Sequence, residues 1–252
     1  MTGTRVVIED GVVYGRAGGD GRELRCDVYR PEGVAERLPG VLLIHGGGWR
    51  NGDRTQLRGY GVLISREGYV CVAPEYRLVP ESPWPAQIDD VRAALTWMRD
   101  QADELGLDPD RIAVEGNSAG AHLALLLAAD GSLGVGACIA VYPPTHLVFG
   151  EHVDGSIPLI AIADDGGSLE LEREVSPLLL ASPTFPPTKL IHGSGDGVVP
   201  VAASFRMYEA LHAHGVPVDI HVYAEQPHAF DADPLFGRAT AREMVHFLGR
   251  YL

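Results

Sequence analysis

The chain has 252 residues and a formal net charge of −14, from 34 acidic and 20 basic side chains. So acidic a surface repels phosphate backbones and anionic lipid, which excludes nucleic acids and acidic membranes as favoured partners. Hydrophobic residues make up 46% of the chain and charged residues 21%, as in packed globular domains. We therefore expect a globular domain with a sizeable core and exclude a disordered chain.

The start of the sequence, MTGTRVVIEDG, lacks the basic segment and following apolar segment of a signal peptide. The longest apolar run, near 123–129, is too short to cross a bilayer. The odd set of three cysteines shows no spacing typical of a disulfide framework or of a zinc site. These features predict a cytoplasmic protein without structural disulfide bonds.

Strand-like and helix-like patterns alternate along the chain. Segments 4–14 and 23–29 predict two strands joined by a glycine-rich turn over 15–21, and 40–44 is a continuous apolar run typical of a buried strand. The clearest helical pattern is 85–103, where Ile88, Val91, Leu95 and Met98 share one helical face. Further strands are predicted at 69–73, 111–115, 137–142, 189–192 and 218–223, and further helices at 118–129, 201–214 and 234–250.

This alternation predicts an α/β fold, because parallel strands are joined by right-handed helical crossovers. We expect a mostly parallel twisted sheet with helices on both faces, an antiparallel edge from the leading hairpin, and one domain over 1–252. Residues 143–187 break the alternation and are rich in proline, glycine and acidic residues. They are predicted to form a small cap over the functional end of the sheet, with a surface excursion of no catalytic relevance as the alternative.

The sequence Gly116-Asn117-Ser118-Ala119-Gly120 lies between a predicted strand and a predicted helix. This is the context of a nucleophile elbow, a turn so sharp that the serine backbone is strained and small residues must flank it. The N-terminus of the following helix favours negative charge that develops beside Ser118. A bare G-x-S-x-G occurs by chance in many proteins, but in this context it predicts a nucleophilic serine.

A second glycine-rich turn, His45-Gly46-Gly47-Gly48-Trp49, directly follows the predicted strand 40–44. Acyl transfer develops a negative oxygen, and glycines let backbone N–H donors come close enough to stabilise it. A phosphate-binding loop is disfavoured because Asn51 stands where G-x-G-x-x-G would need a glycine. Trp49 is either a wall of the substrate pocket or a core residue.

Asp196 and His228 each follow a predicted strand, so Ser118, Asp196 and His228 stand in the chain order of hydrolase triads. The carboxyl ends of parallel strands share one edge of a sheet, so these side chains can converge. A neutral imidazole can take the serine proton, and a carboxylate can fix the imidazole tautomer. His122 is a weaker candidate for the base, and Asp164 and Asp165 are weaker candidates for the acid.

The chain resembles hormone-sensitive-lipase-like esterases in HGGGW, in Glu75-Tyr76-Arg77-Leu78, in Pro85-Ala86 followed by Asp90, in GNSAG and in the Asp196 and His228 segments. The run SAGAHLA at 118–124 is more similar to the smaller feruloyl or acetylxylan-type esterases and kynurenine formamidases. The resemblance covers position 39 to the C-terminus. It implies the α/β-hydrolase fold, an oxyanion hole formed by Gly47, Gly48 and Ala119, and no cofactor.

The sequence departs from the lipase-like branch at three places. Asn117 and Glu75 stand where that branch commonly has aspartate, and the segment before HGGGW is too short for its N-terminal cap helices. These departures favour a small relative with an open site.

These residues together predict a serine carboxylesterase that hydrolyses small, short-acyl esters through an acyl-enzyme. An amidase of the aryl-formamidase type is the alternative, and a non-catalytic ligand receptor on the same fold is disfavoured because all three triad residues are present. The expected partner is a small-molecule ester, with no cofactor, no metal, no nucleic acid and no membrane. The sequence leaves a homodimer open.

Overall fold

The computed structural model describes residues 4–18, 21–148 and 168–252, and the backbone of 157–158. Within these ranges, eight strands form one sheet in the order β1-β2-β4-β3-β5-β6-β9-β10, and two short strands, β7 and β8, pair separately. The strands are β1 (Val6–Arg16), β2 (Glu23–Pro31), β3 (Leu38–Ile44), β4 (Val70–Pro74), β5 (Leu107–Asn117), β6 (Ala137–Val141), β7 (Leu147–Val148), β8 (Ile157–Pro158), β9 (Thr188–Gly193) and β10 (Val218–Tyr223).

The sheet is parallel except at one edge, where β2 runs antiparallel to both β1 and β4. The predicted leading hairpin and the mostly parallel sheet are therefore both confirmed.

Helices cover both faces of the sheet. They are α1 (Arg58–Ser65), α2 (Ala86–Asp100), α3 (Ala102–Leu105), α4 (Ala119–Ala129), α5 (Leu169–Val175), α6 (Ala202–Ala213) and α7 (Pro234–Tyr251). Alternate residues of β3 enter two different cores: Leu42 and Ile44 pack with α2 and α4, whereas Val41 and Leu43 pack with α1 and α7. This double burial explains why the sequence of β3 is continuously apolar.

Several predicted boundaries were wrong. The helix expected at 85–103 is divided at Gln101 into α2 and α3. Strand β1 extends to Arg16, inside the predicted turn, and β5 begins four residues before position 111. Helix α1 was not predicted, because its Gly59 and Gly61 are poor helix formers. Gly61 is needed there, since a Cβ on it would lie 2.6 Å from the Tyr29 ring.

The segment predicted to be a cap is described only in part, since 149–156 and 159–167 lie outside the described residues. Its described part is attached to the sheet domain by hydrogen bonds. His122 Nε2 donates to the Val175 carbonyl at 2.7 Å, and Trp84 Nε1 donates to Glu174 at 3.0 Å. That this segment is a cap, and that 1–252 is one domain, stay predictions. In the described ranges, no helix is both long and apolar enough to cross a membrane.

Candidate active site

Ser118 lies at the sharp turn between β5 and α4. Its φ of 54° and ψ of −119° are strained for a residue with a side chain. A Cβ on Gly116 would lie 2.3 Å from the Gly120 carbonyl oxygen, and a Cβ on Gly120 would lie 2.0 Å from that of Ile44. The sequence predicted small residues at both positions, and these distances require glycine.

Ser118, His228 and Asp196 form one hydrogen-bonded chain. His228 Nδ1 donates to Asp196 Oδ2 at 2.6 Å, and the Ser118 hydroxyl donates to His228 Nε2 at 3.0 Å. The three residues follow β5, β9 and β10, whose carboxyl ends lie along one edge of the sheet. This arrangement allows the imidazole to accept the serine proton as the oxygen attacks an electrophile.

Asp196 is held by groups from its own loop as well as by His228. Val198 and Val199 donate their backbone N–H groups to Oδ1, each at 2.8 Å, and His192 Nε2 lies 3.3 Å from Oδ2. Burial alone would raise the pKa of Asp196. The hydrogen bonds from His192, His228 and the two backbone N–H groups outweigh that effect and hold the pKa well below its usual range. Asp196 is therefore a carboxylate aimed at the imidazole.

The glycine-rich turn crosses directly over the elbow. A Cβ on Gly46 would lie 2.8 Å from the Asn117 carbonyl oxygen and 3.4 Å from Ser118 Cβ. Gly47 and Gly48 have φ values of 118° and 61°, which favour glycine. The turn is anchored at His45, whose carbonyl accepts from the Tyr76 hydroxyl at 2.9 Å and whose ring stacks on Tyr76. The turn is thus placed where backbone donors could reach an oxyanion at Ser118.

Trp49 is only 3% exposed and belongs to the core between the sheet, α2 and α4. Its ring meets His122 edge-on, with the ring centroids 5.2 Å apart. This burial favours the core role over the pocket wall. His122, the weaker candidate for the base, donates Nε2 to Val175, and burial lowers its pKa to about 4. Asp164 and Asp165 lie outside the described residues.

Sequence reasoning missed a group of polar residues beneath the site. Asp231 accepts hydrogen bonds from Tyr60, Asn117 and Tyr142, at 2.6 Å each. Tyr142 follows β6, so the rule that collects side chains at the carboxyl edge of the sheet could have found it. Asp231 carried no motif of its own. Among the described residues, no three histidine, cysteine, aspartate or glutamate side chains are grouped to hold a metal ion.

A family model with the description BD-FAE matches residues 26–211. The chain belongs to the BD-FAE family. One relative of this chain by sequence is the esterase LipQ of Mycobacterium tuberculosis, 32% identical over 92% of this chain and 60% of LipQ. The chain spans about three fifths of the length of several such curated relatives.

Solved esterase structures share the fold of this BD-FAE chain and confirm the predicted α/β-hydrolase fold. A truncated carbohydrate esterase from gut microbiota has a TM-score of 0.84 and 20% identity, covering 100% of this chain and 98% of its own. Esterase 2 of the planctomycete Thermogutta terrifontis, with propionate bound, has a TM-score of 0.81 and 25% identity, covering 99% of this chain and 94% of its own.

Proposed function

We propose that the chain is a serine carboxylesterase that hydrolyses small esters through an acyl-enzyme. The observation that carries this proposal is the hydrogen-bonded chain from Ser118 through His228 to Asp196, beneath a glycine-rich turn. The similarity to LipQ and to esterase 2 supports the ester as the substrate class.

The proposed reaction begins when Ser118 Oγ forms a bond to the ester carbonyl carbon. His228 Nε2 takes the hydroxyl proton, and Asp196 stabilises the imidazolium that results. The carbonyl electron pair moves onto oxygen, where the backbone N–H groups of Gly47, Gly48 and Ala119 stabilise the negative charge. Ala119 is the first residue of α4, so the positive end of the helix dipole acts in the same direction.

Collapse of this intermediate breaks the bond to the leaving oxygen, which receives the proton from His228 and departs as the alcohol. Water then attacks the acyl-enzyme while His228 takes one of its protons. The second intermediate collapses to the carboxylic acid and returns the proton to Ser118. No redox partner or further reactant is required, and all the catalytic groups belong to this chain.

We further propose a preference for acyl chains of about two to six carbons. Each methylene with an apolar lining adds up to about 0.8 kcal/mol, so specificity should climb and then fall once the chain meets a wall. Esterase 2 has been solved with propionate and with butyrate bound, which supports short acids as ligands of this site type. Acidic residues are numerous in 143–187, which disfavours docking on a lipid surface.

The test is kcat/KM over p-nitrophenyl esters of about two to sixteen carbons, with N-formylkynurenine assayed in parallel. We expect the maximum at short esters and little turnover of the formamide. A maximum at twelve carbons or beyond would indicate a lipase, and a dominant formamide rate would indicate an aryl-formamidase.

Ser118→Ala is the matched variant for this test and should lose roughly 10⁴ to 10⁶ of the turnover while remaining folded. Esterase 2 has been solved phosphonylated by sarin, so a fluorophosphonate is a suitable covalent probe. It should label the wild type once, on Ser118. Labelling of another residue, or near-normal activity in Ser118→Ala, would overturn the mechanism.

A further inference from the structure

A carboxylate beneath the active site joins three elements of the fold. Asp231 belongs to a short 3-10 turn three residues after His228. Its Oδ1 accepts from the Tyr142 hydroxyl, and its Oδ2 accepts from Asn117 Nδ2 and from the Tyr60 hydroxyl, each at 2.6 Å. The donors come from the end of β6, the nucleophile elbow and α1. The Asp231 carboxylate thus connects the loop that carries His228 to the turn that carries Ser118.

We propose that Asp231 is a positioning residue, which fixes the His228 loop relative to Ser118 and determines that the elbow carries asparagine at position 117. The inference rests on the proposed function, since it concerns the geometry of the proposed nucleophile and base. Asp231 acts on the nucleophile and the base only through Asn117 and Tyr142.

Asp231 positions His228 through the ring of Tyr142. That ring lies against the His228 imidazole, with the centroids 4.6 Å apart. Its backbone has a φ of 42°, in the left-handed region that a tyrosine rarely adopts. Its hydroxyl donates to Asp231 and accepts from Asn117 Nδ2 at 2.7 Å. The phenol is therefore held at its hydroxyl by two hydrogen bonds, and its ring packs against the imidazole.

Asp231 positions Ser118 through Asn117, the residue that precedes it. Its amide nitrogen donates both hydrogens, one to Asp231 and one to the Tyr142 hydroxyl. An aspartate at position 117 has no such donor and would place a second carboxylate against Asp231. Two carboxylates at this distance repel each other, and one would have to be protonated. The amide at the elbow is therefore the chemical complement of Asp231.

The complementarity of Asn117 and Asp231 predicts that exchanging the two side chains restores part of the network. With Asn117→Asp and Asp231→Asn together, the amide lies on the base loop and the carboxylate on the elbow. With its nitrogen at the position of Asp231 Oδ2, the new amide can donate one hydrogen to the new carboxylate and one to the Tyr60 hydroxyl, while the Tyr142 hydroxyl donates to the amide oxygen. Three of the four hydrogen bonds then have a donor and an acceptor again, and the two carboxylates of the Asn117→Asp variant no longer face each other.

The experiment compares the wild type, both single variants and the exchanged double variant on p-nitrophenyl acetate. Each single variant should lower kcat by about 10- to 100-fold, with KM changed by less than about threefold, because a partly buried hydrogen bond to a charged group is lost and the base is displaced. The double variant should recover part of that kcat and exceed both single variants. Asp233→Asn is the matched control, since Asp233 caps α7 two residues further on and should leave kcat unchanged.

Two further measurements distinguish a lost positioning role from misfolding and from a wrong choice of ester. The rate of fluorophosphonate labelling of Ser118 should fall and recover in the same pattern, and it does not depend on the choice of ester. Thermal unfolding identifies any variant that fails to fold. An active wild type whose double variant is no better than the worse single variant would overturn the positioning role alone. A wild type that neither hydrolyses esters nor reacts with the probe would overturn the proposed function and this inference with it.

Discussion

The hydrogen-bond donors around Asp196 require a negatively charged acceptor. Its side chain is fully buried, three N–H groups, from His228, Val198 and Val199, donate to its two oxygens, and His192 Nε2 lies 3.3 Å away. Asparagine at this position would have the same shape but would present an N–H₂ group to His228 Nδ1. The imidazole would then place its proton on Nε2, where it could no longer accept from Ser118. We expect Asp196→Asn to lower kcat by about 10⁴, as the same change does in other triads.

The measurement is kcat for Asp196→Asn beside Asp164→Asn and Asp165→Asn, which change the two rival acids in the same way. The rivals should keep nearly full activity. If one of them loses activity and Asp196→Asn does not, the acid of the triad has been misassigned. Circular dichroism checks that Asp196→Asn is folded, because removing a buried charge also leaves the donors of Val198 and Val199 with a weaker acceptor.

At the scale of single residues, the sequence predicted which side chains of the site would come together but not which residues support them. Ser118, Asp196 and His228 could be chosen because each follows a strand and has the chemistry of its role; the roles themselves stay predictions. Asp231 could not be chosen, because its importance comes from Tyr60, 171 positions away in the chain, and from Tyr142. Trp49 was ambiguous for a related reason: burial depends on residues that pack from distant segments.

At the scale of elements, the critical contact is the close crossing of α4 by the end of β3. Gly120 lies in the first turn of α4, and a Cβ there would lie 2.0 Å from the Ile44 carbonyl oxygen and 2.5 Å from that of His45. Backbone atoms cannot rotate away as a long side chain can. We expect Gly120→Ala to separate the elbow from the glycine-rich turn and to destabilise the fold by about 1–3 kcal/mol or more.

Gly59 provides the matched control for Gly120→Ala. It lies within α1, its φ is not positive, and a Cβ on it would meet nothing within 4 Å. Gly59→Ala should therefore stabilise the protein by about 0.5–1 kcal/mol through its helix propensity. Urea unfolding of the two variants gives the comparison. Equal effects, or a stable and fully active Gly120→Ala, would show that the crossing is looser than the distances indicate.

The elements that sequence patterns predicted well are those with strong periodicity or strong flanking signals. The buried run of β3 and the face of α2 are examples, since both core faces select apolar residues there. Helix α1 was missed because Gly61 lowers its helix propensity, yet the glycine is required by the Tyr29 ring on β2. The division at Gln101 was missed because apolar spacing continues from α2 into α3. Tertiary contacts decide both cases, and local patterns do not contain them.

At the scale of the whole molecule, buried titratable groups set how stability depends on pH. Burial lowers the pKa of His45 and of His122 to about 4 each, compared with about 6.5 in an unfolded chain. Burial raises the pKa of Glu115 well above its ordinary value, and the negative charge of Asp231 adds to that increase. The two histidines therefore lower the stability of the folded chain as the pH falls, whereas Glu115 lowers it as the pH rises.

Whether acid stabilises or destabilises the folded chain depends on which state, folded or unfolded, binds more protons. Between about pH 6.5 and pH 4 the unfolded chain binds protons at both histidines and the folded chain does not, so acidification in this window favours unfolding. Glu115 keeps its proton in the folded chain, so its contribution is lost instead as the pH rises above about 4.5, its ordinary value. A single histidine with this shift accounts for about 3 kcal/mol across its window.

His122→Gln isolates one of these contributions. Glutamine does not titrate and can still donate to the Val175 carbonyl, so the link between α4 and the end of α5 is kept. We expect the wild type to lose more stability than His122→Gln between pH 6.5 and 4, and the two curves to run parallel above about pH 7. Urea unfolding at half-unit pH steps measures the difference directly. Parallel curves throughout would mean that His122 is protonated in the folded chain at acid pH, in which case a hydrogen-bonding partner for Nδ1 must reach it inside the core.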